Sequence, residues 1–553
     1  MKKKLFAGFY LTLIFIGSLF LIFEKGSVIY PVLISISVYG VLFGVLMVFS
    51  ARWLFSATVT STLFIIIKFL NQLKVHYYKE QLFFTDINIM TDTSNMGTLS
   101  HYWLAGVALL GLTILFVING IISWRLFKPA RKSFTPRILG VILAVAGYFG
   151  ASFASAHYYD RWSQTLPKGR GTITNIVMSA QNSSYQSPKF AGSADYFIEK
   201  AAQVTLENNT ESEKPDIVLL LQESTVDPHI YNLPVGTKLP ELFMFQQDSG
   251  VIAHSQMRVQ TFGGGTWLSE FSALTGLNSD DFGAQKSGVF YFIVDNLKNS
   301  LFKEMKANGY YTVVLTPFNK GAYHSGHAYE TLGVDRIIQP QELGYPGKLQ
   351  DNLWTISTED MLKYVKEILA KETDKPVFIF SLTMYEHGPY KESHSDDYGI
   401  KEKIKHKDAA GEFSHYMEKI VASDASIRNF AEFIEKRGRP LMFLYFGDHQ
   451  PGISLNQYNS ELSSPAYLTQ FTLRDNLKSG TDIKTGALTD ISFLGGILLE
   501  RANLKVSPFY EANIKMRHLC NGKLNDCEDE KLVDSYRNYL YRTLKAADKP
   551  ESN

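Results

Sequence analysis

The chain has 553 residues, a net charge of +1, 45% hydrophobic residues and 20% charged ones. This length exceeds the roughly 250 to 300 residues at which one core stops growing, so two regions are expected. The balanced charge argues against nucleic-acid binding as the main task, since such domains carry a clear basic excess.

The first third is strongly apolar. Runs of about 17 to 25 apolar residues read as membrane helices, because a helix rising 1.5 Å per residue must cross about 30 Å of hydrocarbon. Five segments fit, at 5–23, 27–49, 53–70, 103–124 and 138–156. MKKK before the first is also how a signal peptide begins, but a second long span follows at once and favours an anchor. The loop RLFKPARKSFTPR holds Arg125, Lys128, Arg131, Lys132 and Arg137 with no acidic residue, which assigns it to the cytoplasmic side. Five spans then put everything after residue 156 outside. The stretch 71–102, with Tyr77, Tyr78, Phe83 and Phe84 among polar residues, fits either short helices lying on the membrane surface or a connector.

Residues 157–214 are rich in Ser, Asn, Gln and Ala with little apolar periodicity, as in a linker or interfacial helices. A catalytic domain is expected over 215–545, with a tail at 546–553. Within it DIVLLL (216–221), YTVVLT (311–316), PVFIFSLT (376–383) and PLMFLYF (440–446) read as buried strands. Helical patterns lie between them, such as DNLKNSLFKEMKANG, ending on Gly309, and EDMLKYVKEILAKE. This alternation predicts an α/β domain with a mostly parallel sheet covered on both faces, and ligands gather beyond the carboxyl ends of such strands.

Three strand ends carry conspicuous polar residues: Glu223 in QES, His387 in MYEHGPY, and Asp448 with His449 in GDHQP. A fourth segment, TFGGGTWLSEF, presents Thr266 after three glycines and before a helical pattern. Backbone N–H groups and the helix dipole at such a turn stabilise negative charge, which suits phosphate chemistry. A threonine hydroxyl is a poor nucleophile near neutral pH and needs a base or a metal. Glu223, Asp448 and His449 offer oxygen and nitrogen ligands suited to zinc or manganese, and the Thr266 oxygen can complete the set. Each piece has a bland reading too: an acidic residue after a strand also serves as a helix cap, and GGG as a flexible turn.

The order Glu in QES, Thr in GGGT, His in HGP and Asp-His in GDHQP resembles the alkaline phosphatase and sulfatase superfamily. It is most similar to membrane transferases such as lipoteichoic acid synthases, phosphoglycerol transferases and lipopolysaccharide phosphoethanolamine transferases. GGGTWLSEFSALTGL and FGDHQP are the most specific stretches. The resemblance implies Thr266 as covalent phospho-acceptor, Glu223, Asp448 and His449 as metal ligands, and His387 as phosphate binder or acid–base. It further implies a bacterial cytoplasmic-membrane enzyme with its domain on the periplasmic or extracytoplasmic side. The donor would be phosphatidylethanolamine or phosphatidylglycerol, and the acceptor a glycan or glycolipid such as lipopolysaccharide core. The Cys/Ser-x-Pro-x-Arg signature of true sulfatases is absent around Thr266, which disfavours sulfate-ester hydrolysis through a formylglycine.

Other residues are open to two readings. His324 and His327 either line an acceptor cleft or decorate a surface loop, and Trp354 either contacts the headgroup or packs. Glu386, Tyr385 and Tyr390 flank His387 and would suit an ammonium headgroup, or are ordinary loop residues. Cys520 and Cys527, the only cysteines, form a disulfide in an oxidising compartment or stay free thiols; two alone are too few for structural zinc. Two rivals stand beside transfer: a phosphodiesterase using the same residues, and an inactive membrane-anchored sensor.

Overall fold

The computed structural model describes residues 2–22, 29–86, 103–126, 134–158, 171–181, 184–206, 213–349, 351–371, 374–455 and 457–548. It divides into two compact units, Met1–Ser184 with Gly283–Gln285, and Tyr185–Phe282 with Lys286–Asn553.

The first unit is helical: α1 (Lys2–Ile22), α2 (Ile29–Ser50), α3 (Trp53–Tyr78), α4 (Trp103–Leu126), α5 (Thr135–Tyr158) and α6 (Thr172–Gln181). Among the described residues four of them, α2 to α5, are long and apolar enough to cross a membrane, against the five expected. The difference lies in α1, whose described apolar stretch is Ala7–Leu19. Helices α2 and α5 meet through small residues: a Cβ on Gly44 would lie 2.4 Å from the Gly140 carbonyl oxygen, so only glycine permits this approach.

The 71–102 stretch starts as helix, since α3 continues to Tyr78. The following turn is tied down, with Leu82 N–H donating to Asn71 Oδ1 (2.8 Å), Asn175 Nδ2 donating to the Leu82 carbonyl (2.7 Å) and Lys74 Nζ meeting Asp86 (2.7 Å). Residues 87–102, and 127–133 of the basic loop, lie outside the described residues.

The second unit is α/β. Its strands are β1 (Asp216–Gln222), β2 (Val251–Arg258), β3 (Tyr311–Leu315), β4 (Arg336–Ile338), β5 (Val377–Leu382), β6 (Leu441–Gly447), β7 (Leu468–Asp475) and β8 (Leu488–Asp490). They form one sheet in the order β4-β3-β5-β1-β6-β7-β2-β8. Only β7 runs against the rest, pairing antiparallel with β6 and β2. The four strands expected from continuous apolar runs are β1, β3, β5 and β6. Burial explains the runs: along β1, Ile217, Leu219 and Leu221 enter one core and Val218 and Leu220 the other.

The helices of this unit are α7 (Asp195–Ala201), α8 (Thr266–Thr275), α9 (Leu301–Ala307), α10 (Ser325–Thr331), α11 (Thr358–Lys371), α12 (Asp408–Lys436), α13 (Leu494–Arg501), α14 (Pro508–Leu519) and α15 (Glu530–Asn538). Helix α9 is shorter than the pattern DNLKNSLFKEMKANG predicts. Ser300 caps it, its Oγ accepting from Lys303 N–H at 3.1 Å, and the residues before Ser300 stay outside. Cys520 and Cys527 are joined as a disulfide just after α14.

Candidate active site

Strands β1 and β6 are adjacent and parallel, with Gln222 paired to Gly447, so the residues that follow them emerge side by side. Glu223 and the Asp448–His449 pair are thereby brought together from positions 225 residues apart, all buried. Helix α8 brings the fourth member. Gly263, Gly264 and Gly265 all take positive φ (66°, 148° and 79°), a path that side chains resist, and it delivers Thr266 at the first helical position. Thr266 Oγ1 donates to Glu223 Oε2 at 3.0 Å. The turn is fixed to the β6 loop by Gly263 N–H donating to the Gln450 carbonyl (3.1 Å) and Ser269 Oγ to the Asp448 carbonyl (2.6 Å).

The orientation of the polar atoms leaves a gap in the hydrogen bonding. His449 Nδ1 contacts the Gln450 carbonyl at 2.9 Å, which makes it the protonated nitrogen and leaves Nε2 as a lone-pair acceptor. That Nε2 lies 3.3 Å from both Glu223 Oε1 and Asp448 Oδ2, acceptor facing acceptors. Asp448 Oδ1 is engaged by the N–H groups of Ser224 (2.8 Å) and His449 (2.7 Å), whereas Asp448 Oδ2 and His449 Nε2 have no hydrogen-bond partner. Buried unpartnered acceptors are costly unless something positive joins them. The ligand atoms of Glu223, Asp448 and His449 lie within 4.8 Å of one another, a donor set that fits a divalent cation.

The electrostatics agree. Burial raises the Asp448 carboxyl well above its ordinary value, and the neighbouring Glu223 charge adds to it. For Glu223 burial is outweighed by the facing His449 and His387 rings and by the Ser224 and Thr266 hydroxyls, so its carboxyl is held below the usual range. Burial also lowers His449, favouring neutral imidazole, the form that ligates a metal.

His387 is half-buried, its ring 4.8 Å from that of Trp354, and it stands close enough to influence Glu223 and His449 electrostatically. Trp354 also packs edge-on against Phe318 at 5.0 Å, so it has the packing contact of the blander reading as well as a place beside His387. His324 and His327 do not join the cluster. His324 stacks on Tyr291 (5.1 Å), and the exposed His327 meets Asp295 at 2.7 Å. Nor can Glu386 face an ammonium group: it is fully buried and accepts from the hydroxyls of Thr358 (2.7 Å), Thr383 (2.7 Å) and Ser423.

Several supporting residues were not evident in the sequence. Thr383, at the end of β5, links Glu386 to the site because its Oγ1 also accepts from Glu223 N–H at 3.1 Å. Lys419 of α12 donates to the carbonyls of Tyr385 (2.8 Å) and His387 (3.1 Å), fixing the His387 loop. Glu270, one turn after Thr266, is buried and accepts from Tyr323 (3.2 Å) and Tyr329, and burial pushes its carboxyl up to about 7. A hydroxyl just past a strand and a carboxylate one helical turn after a threonine are the signals that could have pointed to Thr383 and Glu270.

Comparison with known proteins matches this architecture. The Sulfatase family model matches residues 215–479. An uncharacterized protein of Haemophilus influenzae is 35% identical over 531 residues, covering 93% of this chain and 95% of that one. The capsular polysaccharide biosynthesis protein RkpI of Rhizobium meliloti is 20% identical over 437 residues, covering 76% of this chain and 77% of that one. Among solved structures, the Streptococcus pyogenes phosphoglycerol transferase GacH in complex with sn-glycerol-1-phosphate superposes with a TM-score of 0.51 at 18% identity, covering 66% of this chain and all of that one. Residues 215–479 are a sulfatase domain, with the alkaline phosphatase-like fold.

Proposed function

We propose that the protein is a metal-dependent transferase that moves a phospho-headgroup, phosphoethanolamine or glycerol phosphate, from a membrane phospholipid to a cell-envelope glycan or glycolipid. The observation that carries this reading is the convergence of a glycine-presented threonine hydroxyl on a buried Glu–Asp–His set with two unpartnered acceptor atoms. The names of the relatives support it: one is a phosphoglycerol transferase crystallised with a glycerol phosphate, another serves capsular polysaccharide synthesis.

Glu223, Asp448 and His449 would hold a zinc or manganese ion, with Thr266 completing the set. A bound divalent cation supplies positive charge that stabilises an ionised hydroxyl and the developing phosphoryl charge. Glu223 Oε2 orients Thr266 Oγ1 and draws on its proton, and the N-terminus of α8 faces the incoming phosphate. Thr266 attacks phosphorus as its proton passes to Glu223, the bond to the diacylglycerol oxygen breaks, and that oxygen takes a proton from His387. An acceptor hydroxyl then gives its proton to His387 and displaces Thr266 from phosphorus, Thr266 recovers its proton from Glu223, and the enzyme is returned. The apolar helices tether the chain to the membrane that holds the donor, and this proximity shortens a diffusional search. Counting α1 as an anchor with MKKK inside, the catalytic unit lies on the extracytoplasmic side of the bacterial inner membrane.

The test is mass spectrometry of surface glycans from cells carrying wild-type protein or Thr266→Ala. The expected difference is one phosphoethanolamine or one glycerol phosphate, which also identifies the group. Identical glycans, with labelled headgroup released only as free phosphoalcohol, would establish a phosphodiesterase instead.

A further inference from the structure

A cleft of about 790 Å³ in the catalytic unit is lined by Asn232, Lys403, Lys405, His406, Ser454 and Gln457, among others. Its walls come from three connections. The β1–β2 connection also carries Glu223, the β5–α12 connection also carries His387, and the β6–β7 connection also carries Asp448 and His449. Since β5, β1 and β6 are neighbours and parallel, all three connections leave the sheet at the same edge. Two of them are fastened together at the cleft, where Asn232 N–H donates to the Gln457 carbonyl (2.9 Å), Asn459 N–H donates to the Ile230 carbonyl (2.6 Å) and Tyr231 bridges Tyr458. The cleft thus shares all three of its connections with the residues of the metal-type cluster and His387.

The third wall is basic. Residues 401–407, KEKIKHK, hold four lysines and one glutamate, a net of +3 from four minus one, with His406 neutral. Lys407 pairs with Glu402 at 2.6 Å, whereas neither Lys403 nor Lys405 has an ion pair among the described residues. Glu412 of α12 is occupied by Ser454 N–H (3.1 Å), and burial raises its carboxyl. Side-chain amides at Asn232 and Gln457 match sugar hydroxyls, and free ammonium groups match phosphate or carboxylate. Leu233, Pro234, Val235, Ile404 and Leu455 complete the lining and suit the apolar faces of sugar rings, while the concave shape and the absence of the Trp and Tyr of membrane-interface anchors favour a glycan over a lipid surface.

We propose that this cleft is the acceptor subsite and that the acceptor is an anionic oligosaccharide whose phosphate or carboxylate groups lie on Lys403 and Lys405. The proposal rests on the transferase reading above.

The experiment uses full-length protein in phosphatidylcholine nanodiscs, with pentamannose carrying one 6-phosphate as probe and unphosphorylated pentamannose as control. Calorimetry is expected to show tighter binding of the phosphorylated sugar, about tenfold weakened by Lys403→Glu with Lys405→Glu and by high salt. Thr266-dependent release of headgroup to water is expected to be unchanged in the same variant. Equal binding of both sugars, or no effect of the double variant on a folded protein, overturns the subsite. So does a double variant that loses binding of dihexanoylphosphatidylglycerol while keeping that of the phosphosugar, which would make the lysines a lipid contact. Failure of the transferase reading shows up separately, as labelled headgroup that reaches water as free phosphoalcohol and is never found on a glycan.

Discussion

Glu223, Asp448 and His449 stand at the ends of two neighbouring strands, buried, with Asp448 Oδ2 and His449 Nε2 lacking partners. His324 and His327 sit in and after a loop, with one ring stacked on Tyr291 and the other already holding Asp295. The residue types are those of metal sites in both places. What separates them is unmet bonding capacity under burial, because an unsatisfied acceptor away from water requires a cation or proton to be tolerable. The Glu270 carboxyl is an intermediate case: buried like the first group and partnered, by Tyr323 and Tyr329, like the second.

Substitutions can break this comparison. The largest effect is expected for Thr266→Ala, a loss of at least about 10³-fold in headgroup transfer with folding retained by circular dichroism. Asp448→Asn is expected to lower transfer by about 10²-fold or more and to remove the bound metal in elemental analysis. Chelation of the wild-type protein should reproduce that loss, and added zinc or manganese should reverse it. A Glu270→Gln variant separates burial from missing partners. The Glu270 carboxyl is lifted from 4.5 to about 7, so between those values the folded chain keeps a proton that the unfolded chain has lost. Its contribution to stability is therefore greatest at acid pH and declines as pH rises through that window, by at most about 1.4 kcal/mol per pH unit. Denaturation at several pH values is expected to show this slope in wild type and its loss in Glu270→Gln. The smallest effect belongs to His327→Ala, with transfer and metal content unchanged and stability within about 0.5 kcal/mol, as for an exposed pair. A loss of metal in that variant would undo the comparison.

What the sequence made legible follows from the same physics. Strands β1, β3, β5 and β6 are buried on both faces and read as unbroken apolar runs. Strand β7 is equally buried, yet LTQFTLRD conceals it, because its polar residues find partners only in the fold. Thr469 Oγ1 donates to the Gly447 carbonyl (2.8 Å) and Arg474 meets Asp248 (2.8 Å). Strand β2 includes His254, Ser255 and Gln256 and is missed for the same reason, with His254 paired to Thr472 at 3.0 Å. At the site, Glu223, Thr266, Asp448 and His449 were visible because strand ends and glycine turns are where such folds present chemistry. Thr383 and Lys419 were not, because each acts through a contact with a residue remote in sequence.

The central claim is that Thr266 takes the phospho-headgroup covalently. Full-length protein incubated with donor phospholipid and no acceptor, then quenched in acid and digested, gives a direct reading by mass spectrometry. The peptide containing Thr266 is expected to gain the mass of one phospho-headgroup and to lose it when acceptor is added. An adduct on a different residue, or continued turnover with Thr266 unmodified, would contradict the account.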